Sequence, residues 1–355
     1  MMLDTGLNEC GIRIAECGIK IQNPRSKILS IIIHEERNIK FRAQEMMKNL
    51  YKYLFFFFLA VFCFACSKGD AVEEINSTNT KTLWKTHSLP YYRSVYRLTF
   101  TSQNGGWATG ERGGIFSYNN KWTQVSGPTQ EQLFSLSFAG KNKGYAVGSR
   151  GTVLLYSDGQ WSKEELSVDW DIMDVFFLNE VEGWAVGENS IILQHNDKGW
   201  KECNAPRIGY LTRVYFTDQS NGWAVGNNGL IFHYDGNGWQ EVTSPTDENL
   251  YGLYFTSGEE GWAAGAAGTI LHYHHKKWNL HPSPVENHLL DIHFDSLNRG
   301  WIVGASGVIL KYQESKWFEI PSPSKKALYA VTTDGEGTLW VSGKGGKIFQ
   351  LPMNP

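Results

Sequence analysis

Gly222-Trp223-Ala224-Val225-Gly226 sets the architecture of this chain because it recurs. The same word stands at 183–187. Close variants are Gly106-Trp107-Ala108-Thr109-Gly110, Gly144-Tyr145-Ala146-Val147-Gly148, Gly261-Trp262-Ala263-Ala264-Gly265 and Gly300-Trp301-Ile302-Val303-Gly304. A seventh, degraded copy is Leu339-Trp340-Val341-Ser342-Gly343. Successive copies lie 38, 39, 39, 39, 39 and 39 residues apart, a period that chance does not hold over six intervals. A fixed period of this length marks a repeat architecture.

Around each word the unit divides into four short apolar stretches. In the fourth unit they are 211–216, which partly alternates, then 222–226, 230–234 and 239–242. Four strands of about five residues with tight turns fill such a unit and leave little room for a helix. Gly-x-x-Gly separates the second and third stretches, as at Gly226 and Gly229; unit three has Gly187 but Ser190. Asp158-Gly159 and Asp235-Gly236-Asn237-Gly238 separate the third and fourth. These are hairpin residues, able to take positive φ. A four-stranded antiparallel unit of about 40 residues is a β-propeller blade.

A tryptophan marks the fourth strand at 122, 161, 200, 239, 278 and 317. The next would fall just beyond the last residue, so the seventh unit lacks its fourth strand. Trp84, 38 residues before Trp122, supplies the missing copy. The expected fold is therefore all-β. It is a seven-bladed propeller of four-stranded antiparallel blades over residues 82–354, with 82–86 completing the last blade. Closure of this kind hides the edge that an open array would expose.

Composition agrees. Of 355 residues 41% are hydrophobic and 14% aromatic, with 37 Gly and 14 Trp, which excludes a disordered chain. A net charge of −3 argues against a nucleic-acid groove. The five cysteines are Cys10, Cys17, Cys63, Cys66 and Cys203.

The segment KNLYKYLFFFFLAVFCFAC, 48–66, has a basic start and an apolar run of twelve residues, 54–65. Twelve helical residues span about 18 Å, short of the hydrocarbon core. It reads as a signal peptide, 46–65. Ala65-Cys66 at its end resembles a bacterial lipoprotein signal, with Cys63 where such signals usually carry Leu. By that resemblance Cys66 is the lipidated first residue of the mature chain. Met46-Met47 reads as the start of translation and 1–45 as a mis-called extension; the rival is a cytoplasmic tail before a signal anchor. The polar stretch 66–81 reads as a flexible tether. The chain beyond residue 66 has 24 basic and 30 acidic residues, and with Cys66 lipidated no internal disulfide can form.

Gly-Trp-Ala-Val-Gly, then Gly-x-Ile, then a turn ending in Trp resembles the repeats of photosystem II assembly-factor-like propellers, grouped with BNR or Asp-box repeats. The resemblance spans 82–352. It implies a propeller and a role in binding or assembling other proteins. The Asp-box itself is a structural turn, here shortened to Ser157-Asp158-Gly159-Gln160-Trp161.

Residues that break the repeat are the candidates for function. Each first strand is aligned on its last Phe, at 100, 138, 177, 216, 255 and 294, with Thr333 in the seventh unit. Three residues earlier stand Arg97, Ser135, Asp174, Arg213, Gly252, Asp291 and Ala330. If the first strand is innermost, these side chains approach the central channel. Two Arg and two Asp in one ring either bind a polar ligand or satisfy one another as ion pairs. Trp170, Asp171, Tyr210 and His288 precede the first strands, and Arg112 and Arg150 lie in the Gly-x-x-Gly turns. Arginine beside exposed aromatics is the composition of an interaction patch. It also suits a carbohydrate platform, unless Trp170 simply packs on its own blade.

No catalytic constellation is legible. Sialidase chemistry needs an arginine triad, a Tyr–Glu nucleophile pair and an acid, and Pro206-Arg207-Ile208 is only a faint echo of its Phe-Arg-Ile-Pro motif. His272, His274, His275, His281, His288 and His293 are expected to be scattered, with His274 and His275 on the opposite face from His281 and His288, so no metal or other cofactor is expected. The expectation is a non-enzymatic scaffold, lipid-anchored in the bacterial cell envelope, facing periplasm or exterior, with an envelope protein as partner. The alternative is a glycan-binding or glycan-cleaving surface lipoprotein.

Overall fold

The computed structural model describes residues 84–90, 93–101, 105–140 and 142–353. These form seven four-stranded antiparallel sheets. Each sheet is one repeat. In blade 4 the strands Leu211–Asp218, Asn221–Gly226, Ile231–Tyr234 and Trp239–Glu241 pair in sequence order. The first strands touch one another in turn around the ring, from blade 1 through blade 7 and back to blade 1. They are innermost and line the central channel.

Blade 7 is completed from the other end of the chain. Lys85–Ser88 pairs antiparallel with Lys347–Leu351, Lys85 opposite Gln350 and Ser88 opposite Lys347. The closure expected from Trp84 is present, but the strand starts at Lys85 rather than at residue 82. Trp84 precedes it, and its indole N–H donates to the Pro321 carbonyl at 3.3 Å. The signal segment, Cys66, the tether and residues 1–45 lie outside the described residues.

Aromatic stacks join the blades. Trp184 of blade 3 stacks on Phe216 of blade 4, ring centroids 3.6 Å apart. Tyr145 stacks likewise on Phe177 and Trp223 on Phe255. The fourth-strand Trp239 stands edge-on to Phe216, at 87°. Such pairs add to the stabilisation from buried area. The first Gly of the repeated word serves this packing: a Cβ on Gly222 would lie 2.2 Å from the Phe216 ring. Blade 7 changes both partners together. Thr333 replaces the Phe, and Leu339, opposite it in the ladder, replaces the Gly. The smaller ring-side residue leaves room for the larger one, which accounts for the degraded seventh word.

Two local devices place the functional end of the ring. Between the second and third strands of blade 4, Asn228 and Gly229 take φ of 54° and 65°, and Leu230 N–H closes on the Asn227 carbonyl at 3.2 Å. This is a two-residue turn of the type that positive-φ residues favour. The inner strands also share an irregularity. In all seven blades the register slips between the fifth and third residues before the Phe position, as between Leu211 and Arg213. The residue between them is a bulge, extra to the ladder.

Candidate functional site

Three of the four charged residues in the channel ring, Arg97, Arg213 and Asp291, meet at one carboxylate. Arg97 Nη1 meets Asp291 Oδ1 at 3.0 Å, across the channel from blade 1 to blade 6. Arg213 Nε approaches the same oxygen at 3.8 Å from blade 4, while its Nη1 donates to the Thr212 carbonyl at 3.0 Å. Both arginines skip a blade to reach Asp291. The intervening positions are Gly252 and Ala330, which leave the path open. The aspartates are buried and also tie blades together. Asp291 accepts the Val331 N–H at 3.0 Å, and Asp174 accepts the Val214 N–H at 3.0 Å and the Ser135 hydroxyl at 2.6 Å. Burial lowers the Arg213 guanidinium from its ordinary value, with Asp174 opposing and Arg97 adding to the effect. Of the two expectations for this ring, ion pairing describes Arg97, Arg213 and Asp291, while Asp174 is held by the Ser135 hydroxyl and the Val214 N–H.

The bulge puts a second ring of side chains at the end of the channel where the positive-φ turns lie. Its members are Tyr96, Phe134, Met173, Tyr251, Leu290 and Tyr329, with Thr212 in blade 4. Tyr96 lies 5.5 Å from Tyr329 and 6.0 Å from Phe134, ring centre to ring centre. Its hydroxyl is 3.2 Å from Gln132 Oε1 and 3.4 Å from Glu111 Oε1. Burial, then Glu111, push its pKa above the ordinary phenol value. Asn249 Nδ2 donates to the Tyr251 hydroxyl at 3.4 Å. Apart from Phe134 and Thr212 these side chains are half-buried. Sequence reasoning missed this ring. The available signal was the pair of adjacent large apolar residues, such as Leu133-Phe134 or Leu250-Tyr251, where strict alternation allows only one per face.

Two of the loop candidates hold the neighbouring turn. Asp171 Oδ1 accepts the Arg150 N–H at 2.9 Å, and His288 Nδ1 accepts the Ala267 N–H at 3.1 Å. Asn249 does the same for Asn228, at 2.8 Å. Each side chain reaches back to the preceding blade's turn, whose αL residue would otherwise leave its N–H unpaired. Tyr210 sits lower and donates to Met173 Sδ at 2.9 Å. Trp170 packs on the core between blades 2 and 3. Arg112 and Arg150 are exposed on the turns, with Arg150 3.4 Å from Glu131.

His272 lies 4.6 Å from His274 and 6.2 Å from His281, which stand toward opposite ends of the outer strand pair, His274 opposite Lys277 and His281 opposite Ile270. Both flank His272, which stacks on Trp262 at 3.8 Å and meets Glu260 at 3.1 Å. His275 sits beside His274, while His288 is on the turn described above and His293 in the channel wall. Among the described residues no group of three or more His, Cys, Asp or Glu is placed to hold a metal ion.

Residues 116–205 match the family model of the photosynthesis system II assembly factor YCF48. Over that stretch the seven-bladed propeller resembles photosystem II assembly-factor-like BNR repeats. No curated protein matches it in sequence. Among solved structures this propeller is similar to YCF48 bound to a D1 peptide. Identity is 18%, covering 78% of this chain and 99% of that one, with a TM-score of 0.66. It is also similar to YCF48 from Cyanidioschyzon merolae, at 17% identity over 76% and 98%, TM-score 0.64. Catalytically inactive virginiamycin B lyase from Staphylococcus aureus, solved with quinupristin, is similar at 17% identity over 76% and 100%, TM-score 0.69. At these identities the likeness is one of fold, which hosts unrelated functions.

Proposed function

We propose that this propeller is a non-enzymatic, protein-binding assembly scaffold of the bacterial cell envelope, anchored by lipid on Cys66, that grips a segment of its partner at the channel mouth. One observation carries it. The mouth presents a ring of half-buried aromatic and aliphatic side chains above charges that cancel one another. Such a surface gives contact area without an unbalanced charge to desolvate. The YCF48 structure bound to a D1 peptide supports it, since a propeller of similar fold binds a peptide. The lyase shares the fold, but here both channel carboxylates are committed. Asp174 holds a hydroxyl and an N–H, and Asp291 holds a guanidinium and an N–H, so neither stands ready as a general base. For a glycan platform the expected stacking residue was Trp170, which is packed on the core.

The test is capture of the tagged full chain from cross-linked native cells, with a Tyr251→Ala/Tyr329→Ala variant alongside. The expected outcome is one protein partner recovered with wild type and reduced about tenfold or more in the variant, as loss of central aromatic anchors implies. Equal recovery with both, or recovery of glycan without protein, overturns the proposal.

A further inference from the structure

The loop joining blades 3 and 4 breaks the repeat and opens a cleft. In blades 1, 2, 4, 5 and 6 the turn after the second strand ends on a positive-φ Gly: 113, 151, 229, 268 and 307. A Cβ on these glycines would lie 1.8–2.1 Å from a carbonyl oxygen of the following loop, at Thr129, Val168, Thr246, Val285 and Ser324 respectively. Blade 3 has Ser190 instead, at φ 54°, and Arg207 occupies the matching loop position. A side chain at 190 excludes a carbonyl from that place, so the loop must run clear. The Ser190 N–H still donates to the Gly209 carbonyl at 2.9 Å, which anchors the loop's far end. The space left is a cleft of about 340 Å³, walled by Ser190, Glu202, Cys203, Asn204, Arg207 and Ile208 among others. A second cleft of about 460 Å³ shares Arg207 as a wall and includes Glu241 and Asp247. The Arg207–Glu241 ion pair, 2.7 Å, stands between the two.

The chemistry of this double cleft is specific. Ser190 is 4% exposed, and its hydroxyl has no hydrogen-bond partner among the described residues. A buried hydroxyl left unpaired is costly, so a ligand group that pairs with it gains the difference. Ile208, 73% exposed, offers an aliphatic contact at the rim. Three carboxylates, Glu202, Glu241 and Asp247, face one guanidinium. No aromatic ring is among the residues lining either cleft, so a sugar has no face to stack on. Hydroxyls and carboxamides are the partners that a peptide backbone uses.

We propose that the double cleft binds an extended, lysine- or arginine-containing peptide segment. A backbone group of the peptide pairs with Ser190 Oγ, an aliphatic side chain rests on Ile208, and the cation lies among the carboxylates. The cleft shares no residue with the channel mouth, so it stands or falls apart from the function proposed above.

The test uses the labelled full chain on an array of immobilised decapeptides in matched Lys-containing and Glu-containing halves. Wild type is compared with Ser190→Gly, Glu202→Lys and, as a fold control on the outer rim, Phe318→Ala. The expected result is binding to the Lys half at least about tenfold over the Glu half, a loss of about tenfold in Glu202→Lys, and no change in Phe318→Ala. Ser190→Gly, which restores the residue of the other blades, also weakens binding. A bound peptide slows iodoacetamide alkylation of Cys203, read on its tryptic fragment. Absence of peptide binding, no charge preference, indifference to Ser190→Gly and Glu202→Lys, or unslowed alkylation overturns the proposal.

Discussion

His293 shows how the channel wall depends on a single protonation state. It lies one residue before Phe294, edge-on to Tyr254 at 5.2 Å, with Nε2 2.9 Å from Thr333 Oγ1. Burial pushes its pKa down from 6.5 to about 4, while Asp291 pulls the other way and Arg97 adds to the fall. The unfolded chain therefore takes up this proton near pH 6.5 and the folded chain only near 4. The stabilisation is fully present above pH 6.5 and is lost as pH falls through that window, because the unfolded state then binds more protons. His87, His233 and His272 are lowered by burial in the same direction. Melting temperature should fall between pH 7 and 4.5, and less steeply in His293→Gln, which keeps a donor for Thr333. A parallel slope in the variant would contradict this. The roles of Asp171 and His288 belong to the same scale. Their spacing from the first strand was readable, but the preceding blade's N–H that each one holds is set by the distance between blades, which no local pattern encodes.

Strands and turns were mostly legible because each rests on a local word. Gly-Trp-Ala-Val-Gly gives a strand and its Gly-x-x-Gly a turn with two positive-φ residues. The tryptophan count placed the closing strand to within a few residues of its position at Lys85–Ser88. The bulge left its trace only in adjacent apolar pairs such as Leu250-Tyr251, since an extra residue leaves the spacing from Leu211 to Phe216 unaltered and changes only which way Thr212 and its counterparts point. That missed residue is the one that forms the mouth. Removing residues 85–88 leaves Lys347–Leu351 as an unpaired edge. The deletion should lower the melting temperature by about 5 °C or more and produce oligomers in gel filtration. A monomer that melts like wild type would show that the ring holds without its closing strand.

For the whole molecule, the ring of seven blades has two kinds of interior. Between blades, stacked rings such as Trp184 on Phe216 form the core. Along the axis, Arg97, Arg213 and Asp291 fill the channel with paired charge beneath an aromatic mouth. The repeat made the first kind readable, because its residues recur. The second kind is built from residues that do not recur, so the sequence showed the charged column at Arg97, Asp174, Arg213 and Asp291 but not which of them meet. That Gly252 and Ala330 are small is what lets two arginines converge on one carboxylate. The proposed grip of the mouth on a protein segment is read by site-specific photo-cross-linking, with benzoylphenylalanine at position 251 or, on the outer rim, at 318 of the full chain in native cells. A single protein adduct is expected from 251 and none from 318. No protein adduct from 251, in a chain that melts as wild type, would contradict the proposed grip.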